Sequence, residues 1–170
     1  RTGIKTRHSV GDTKKGPADL AVSATEKLLK KTNTSKEDID FVIFATSTPD
    51  YAIPGAGTIF QHKMGLDKTG VLDIRQGCSG FVYALSVANQ YIKAGTHTNV
   101  LVIGAEVQTT QLDYDDAGRG TAIIFGDGAA ACLVSATNDD KGILSTHLHS
   151  DGQIIDELST KYPSSKYKDI

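Results

Sequence analysis

The 170-residue sequence has only two cysteines, Cys78 and Cys132, and no CxxC pair. A disulfide framework is therefore excluded as the organising device, and a reduced, cytosolic compartment is the simpler reading. No apolar run approaches the roughly 18 residues that a membrane-crossing helix needs. No secretory signal pattern is visible. No basic block stands out either: 18 Lys and Arg face 20 Asp and Glu, for a formal net charge of −2. That removes the electrostatic footprint of a protein that tracks nucleic acid. Internal repeats and low-complexity tracts are missing too. What remains, 39% apolar and 22% charged residues, is the composition of an ordinary globular chain. Its length suffices for one domain with a sizeable core.

Helical and extended patterns alternate along it. Pro17 opens a helical stretch through Lys31, with Leu20, Ala21, Ala24 and Leu28 on one face and Pro suited to the first turn. Ser35 to Asp38 has capping-box spacing. "FVIFATS" (Phe41 to Ser47) is a continuous apolar run, the mark of a strand buried on both faces. "GAGTIFQHKMG" (Gly55 to Gly65) predicts a helix that turns Ile59, Phe60 and Met64 inward and stops at Gly65. "GVLDI" (Gly70 to Ile74) predicts a second strand. "SGFVYALSVANQYIKAG" keeps helical period at Phe81, Ala84, Leu85, Ala88, Tyr91 and Ile92 and carries no charge before Lys93. Such a helix is expected to lie deep inside the protein. "NVLVIGAE" (Asn99 to Glu106) predicts a third strand. "DYDDAGRG" predicts a polar loop, "TAIIFGDGAAACLVSAT" two strands about Gly126-Asp127-Gly128, and "GILSTHLHSDG" a last strand. The alternation predicts an α/β fold with a mostly parallel sheet.

Several attractive motifs fail on context. "GDGAAA" is followed by a strand pattern, whereas a dinucleotide fingerprint opens a helix. "DYDDAG" starts like a calcium loop, but Ala117 and Ile124 stand where ligands belong. His147 and His149 share a strand face without a carboxylate or thiol at matching spacing, so no metal site is expected.

Cys78 differs because of its place, between Gly77 and Gly80 at a strand-to-helix junction. A helix start presents unpaired N–H groups and the positive end of the dipole, which favour an anion. Glycine neighbours would let a carbonyl approach, and the Cys78 N–H could donate to an oxyanion. The alternative, a small buried residue that fills space, stays open on these features alone. Cys132, within "AAACLVS", reads as core.

Four stretches, "RTGIKTRH", "GCSGFVYALSVANQYIKAG", "RGTAIIFGDGAAA" and "GILSTHLHSDG", resemble β-ketoacyl-acyl-carrier-protein synthase III in order and spacing. That family comprises the thiolase-fold enzymes that start type II fatty acid synthesis. The resemblance implies a thiolase-like N-terminal half over residues 1–170, with a mixed, mostly parallel sheet, helices on both faces and a buried nucleophile helix. It implies that the first strand and the C-terminal half are lacking. With them would go the His and Asn that serve decarboxylation, so this polypeptide alone is expected not to complete condensation.

The resemblance further implies that Cys78 takes an acyl group from acyl-CoA and condenses it with malonyl-acyl carrier protein, with loss of CO2. No cofactor is implied. Arg1 and Arg119 fall where CoA-contacting arginines are expected, and Gly120, Ile124 and Phe125 where the pantetheine and acyl channel is lined. Ile53 matches the residue that closes the partner subunit's acyl pocket in a homodimer, a position that is commonly aromatic. The expected partners are acyl carrier protein, acyl-CoA and a second copy of the chain, with neither nucleic acid nor membrane. Two alternatives keep the fold. One is a condensing enzyme of secondary metabolism, making polyketide starters, quinolones or head-to-head products. The other is a non-catalytic subunit, against which the retained Cys78 speaks.

Overall fold

The computed structural model of the chain describes residues 2–161, 164 and 166. It divides into two units, Arg1–Asp140 and Lys141–Ile170.

The first unit is built on four strands, β1 (Phe41–Ala45), β2 (Gly70–Ile74), β3 (Asn99–Glu106) and β4 (Gly128–Ser135), in the order β2-β1-β3-β4. β1 pairs in parallel with β2 and β3, and β4 runs antiparallel to β3. The sheet is thus mixed and mostly parallel, as the alternating pattern predicts. The period-2 side-chain alternation divides the core. On β1, Val42 and Phe44 point to one layer and Ile43 and Ala45 to the other; on β3, Leu101, Ile103 and Ala105 oppose Val100 and Val102. Helices α1 (Pro17–Thr32) and α2 (Ala56–Met64) cover the first layer. α3 (Gly80–Lys93) covers the second, crossing from β2 to β3 over β1. None of the described helices is long and apolar enough to cross a membrane.

Both helices of the first layer begin at glycine, which has no side chain to cap them. A distant aspartate supplies the missing acceptor. Asp50 accepts from the Ala18 N–H at 3.2 Å, and a Cβ on Gly16 would stand 2.0 Å from the same carboxylate. Asp73, on β2, accepts from the Gly57 N–H at 3.0 Å, and a Cβ on Gly55 would stand 2.5 Å from it. The α1 start is closed further by Asp19, which accepts from the Gly16 N–H at 3.0 Å and pairs with Lys63 at 2.7 Å. At their C-terminal ends α1 and α2 stop on left-handed residues, Asn33 (φ 52) and Gly65 (φ 63).

Four expectations change. The buried stripe of α1 runs through Ala18, Ala21 and Thr25, with Leu20 and Ala24 only half-buried. Small residues on the inner face bring this helix close to the sheet. α3 is enclosed on one side only: Ala84 and Ala88 are fully buried, whereas Val82 is 50% exposed. Residues 121–125 form no strand. The chain turns through a short helix α4 (Arg119–Ala122), and the N–H groups of Ile124 and Phe125 donate to the Thr121 carbonyl instead of to a ladder. In the second unit "GILSTHLHSDG" is not a strand either. An alternating pattern does not by itself make a strand; here Leu144 is 86% exposed, and among the described residues of this unit the regular structure is the 3-10 turn Gly152–Ile154.

The capping carboxylates answer pH with opposite signs. Burial, the largest influence, raises Asp50 and Asp73 above the usual carboxylate value. At Asp19 partial desolvation also pushes upward, but the Lys63 ammonium and the Gly16 N–H outweigh it and leave the carboxyl lowered. Asp19 therefore stabilises the fold above its unfolded value, and that contribution is lost as pH falls through its folded one. Asp73 gains stability over the same descent. Urea unfolding followed from neutral pH into the acid range is expected to show D19N losing less stability than the unaltered chain and D73N losing more. In Gly57→Ala the new Cβ would meet Val71 Cγ1 at 2.4 Å and Asp73 Oδ1 at 2.5 Å. Overpacking of this kind costs about 2 kcal/mol, which the urea midpoint at neutral pH reads directly.

Candidate active site

Three parallel strands send their C-terminal ends to one edge of the sheet, the edge at which open α/β sheets bind ligands. β1 leads into residues 46–55, which carry Ile53; β2 leads into Cys78; β3 leads into residues 107–127, which carry Arg119, Gly120, Ile124 and Phe125. β4 starts at that edge too, with Gly128 opposite Glu106. The topology thus gathers the candidate residues from 53 to 125. Arg1 lies outside the described residues.

Cys78 is exposed, at the centre of a 3-10 turn, Gly77–Ser79, that runs straight into α3. Gly77 takes φ +51, a left-handed backbone that a side chain would strain, and a Cβ there would meet nothing within 4 Å. The turn is closed by the Gly80 N–H donating to the Gly77 carbonyl and by the Ser79 hydroxyl donating to the Gln76 carbonyl at 3.0 Å. Gly80 seats the start of α3 on the end of β1, since a Cβ there would lie 3.4 Å from Ala45 Cβ. Phe81 covers Gly104, where a Cβ would come within 3.1 Å of its ring. The thiol thus stands exposed on a hydrogen-bonded turn, next to the open space at Gly77. Cys132 is half-buried on β4, opposite Val102, and burial pushes its thiol up.

Arg119 is exposed on α4 and lines an open cleft of about 620 Å³ with Tyr114, Asp115, Asp116, Ala122 and Ile123. Gly120, Ile124 and Phe125 are not among its lining residues, and neither is Cys78. Ile124 is 48% exposed and Ile53 89% exposed. The acidic stretch before Arg119 turns back on itself, with Asp115 accepting from the Gly118 N–H at 2.8 Å.

Sequence reasoning missed two carboxylates that organise this edge. Glu106 ends β3 and accepts from the Ser47 N–H (2.8 Å), the Ser47 hydroxyl (2.9 Å) and the Thr48 hydroxyl (2.6 Å). It fixes the exit of β1 to the exit of β3. Asp127 accepts from the N–H groups of Thr109 (2.9 Å) and Val10 (2.7 Å) and from the Thr109 hydroxyl (2.6 Å). Partial desolvation works against its charge, yet these donors hold the carboxyl below its usual value. The available signals were a lone acid closing an apolar run and an Asp set between two glycines.

Comparison with known proteins bears on the whole chain. Residues 72–152 match the family model described as 3-oxoacyl-[acyl-carrier-protein (ACP)] synthase III. The chain is 48% identical over 161 residues to the β-ketoacyl-[acyl-carrier-protein] synthase III of Ehrlichia canis, covering 94% of this chain and 50% of that protein. The crystal structure of 3-oxoacyl-(acyl carrier protein) synthase III from Pseudomonas aeruginosa superimposes with a TM-score of 0.87 at 33% identity, over 98% of this chain and 51% of that one. The corresponding Aquifex aeolicus structure gives 0.76 at 38% identity, over 82% and 44%. The chain spans about half the length of the curated relatives it matches. With a mixed α/β sheet, a thiol at its carboxyl edge and this similarity over nearly its full length, the chain is similar to about half of a 3-oxoacyl-[acyl-carrier-protein] synthase III.

Proposed function

We propose that this chain carries the acyl-accepting part of a β-ketoacyl-acyl-carrier-protein synthase III of type II fatty acid synthesis, with Cys78 as nucleophile. The observation that carries this reading is the exposed thiol of Cys78 at the start of α3, beside the open space at Gly77. In the proposed reaction the Cys78 sulfur attacks the thioester carbonyl of acyl-CoA. N–H groups at the head of α3 stabilise the oxyanion that forms. Collapse of the tetrahedral intermediate breaks the bond to CoA sulfur, CoA leaves with the proton, and the acyl group stays on Cys78 as a thioester. Malonyl-acyl carrier protein then loses CO2, and its carbanion attacks that thioester, giving the 3-oxoacyl product and restoring the thiol.

Arg119, at the cleft, is proposed to contact the anionic end of CoA, and Arg1 to do the same. Gly120, Ile124 and Phe125 are assigned to the channel that the pantetheine and acyl chain would follow. The working form is proposed to be a cytoplasmic homodimer that needs no cofactor, in which Ile53 of one copy closes the acyl pocket of the other. An exposure of 89% at this isoleucine suits a side chain that meets a partner.

Incubation with acetyl-CoA followed by peptide mass spectrometry is expected to place an acetyl thioester on the peptide containing Cys78. Iodoacetamide near neutral pH is expected to alkylate Cys78 at least about tenfold faster than Cys132, whose thiol is half-buried and raised. Equal, slow labelling of both would remove the nucleophile from this reading. Because Ile is smaller than an aromatic, Ile53→Phe is expected to shift primer preference toward the shorter acyl-CoA in a competition assay with mixed chain lengths. An unchanged preference would take Ile53 out of the acyl pocket.

A further inference from the structure

The loop that carries Arg119 begins at Thr109 and ends at Asp127, and a single carboxylate fastens its two ends. Asp127 Oδ1 accepts from the Thr109 N–H at 2.9 Å, and Oδ2 accepts from the Thr109 hydroxyl at 2.6 Å. The same Oδ2 accepts from the Val10 N–H at 2.7 Å, while the Asp127 N–H donates to the His8 carbonyl at 2.9 Å. Ser9 Oγ and Thr109 Oγ1, 3.0 Å apart, complete the set. Gly126 lets the N-terminal arm lie flat, since a Cβ there would stand 3.0 Å from Arg7 Cδ and 3.2 Å from the His8 carbonyl oxygen. Inside the loop the Tyr114 hydroxyl donates to the Thr109 carbonyl at 3.3 Å, and Tyr114 and Arg119 line the same cleft.

A surface loop of this length has much conformational freedom to lose on binding a ligand. Most of its side chains are exposed, so packing does little to hold it. The restraint comes from charge-assisted hydrogen bonds at the neck, which are stronger than neutral ones. The arm His8–Val10 has no regular structure of its own, and it is held against the neck by the same residue.

We infer that Asp127 is a positioning residue for ligand binding at the Arg119 cleft: it clasps the neck of the 109–127 loop and docks the 8–10 arm on it. Tyr114 and Arg119 are thereby preset for an anionic thioester ligand. The inference rests on the acyl-CoA reading above. An amide at this position keeps the size of the carboxylate but turns an N–H2 group toward converging donors, so at least one bond of the clasp is lost.

The test is calorimetric titration of CoA into the 170-residue chain and into D127N, T109V and R119A, with hydrogen exchange on each. D127N is expected to weaken CoA binding about tenfold, the loss of a charge-assisted bond expressed at the cleft. T109V, which removes one hydroxyl and keeps the N–H, weakens it less. Exchange at the Val10 and Thr109 amides is expected to speed up while Val42 and Leu101, in the core, stay protected. If D127N does not fold, T109V carries the same test. If R119A abolishes CoA binding while D127N and T109V bind as the unaltered chain does, the inference is overturned and the acyl-CoA reading stands. If the unaltered chain does not bind CoA, that reading falls, and the inference with it.

Discussion

Everything in the first unit is arranged around two strands that have no face to spare. β1 and β3 lie side by side in parallel, and every residue from Val42 to Ala45 and from Val100 to Ile103 is buried. Such a pair must be covered from above and below, which forces the connections to be helices on opposite sides. It also demands close approach. Gly57 on α2 meets β1 and β2 at separations that leave no room for a side chain, and Gly80 on α3 lies in van der Waals reach of Ala45. Parallel pairing then does something packing alone could not. It delivers three strand ends, and the loops that follow them, to one edge.

That edge is stitched by carboxylates and not by apolar contacts. Glu106 ties the exits of β1 and β3, and Asp127 ties the loop after β3 to the N-terminal arm. At the opposite edge Asp40 plays the same part, accepting from the Thr98 N–H at 2.6 Å and the Thr98 hydroxyl at 2.9 Å just before β3 begins. Loops need satisfied backbone groups, and short side chains with two acceptor oxygens meet that need without bulk. Cys78 stands apart from these networks. It is held by backbone turns within its own junction, which leaves its sulfur available for chemistry.

The order of helices and strands was legible because burial leaves a period in the sequence. The apolar run 41–45, the helical stripe from Phe81 to Ile92 and the glycine stops at 65 and 95 could all be read directly. The position of Cys78 between two glycines was legible for the same local reason. What could not be read depends on partners distant in sequence. Residues 121–125 and 142–152 carry strand-like patterns but form no strand, because an alternating pattern does not by itself decide the pairing. Asp50, Asp73, Glu106 and Asp127 bond to groups 16 to 117 residues away. The uncharged run of α3 was over-read as full enclosure, because polarity reports what a surface avoids and not what covers it.

The two glycine-begun helices have an evolutionary consequence. Gly16 and Asp50 share one small volume, as do Gly55 and Asp73. A serine at 16 would be a good self-cap for α1 in isolation, yet it collides with the carboxylate that already does the work. Removing the aspartate first leaves the helix start bare. Either single step is harmful, although the two together would be tolerated. Each pair is thus a lock with two tumblers: drift at one position is blocked by the other, and the members are expected to change together or not at all.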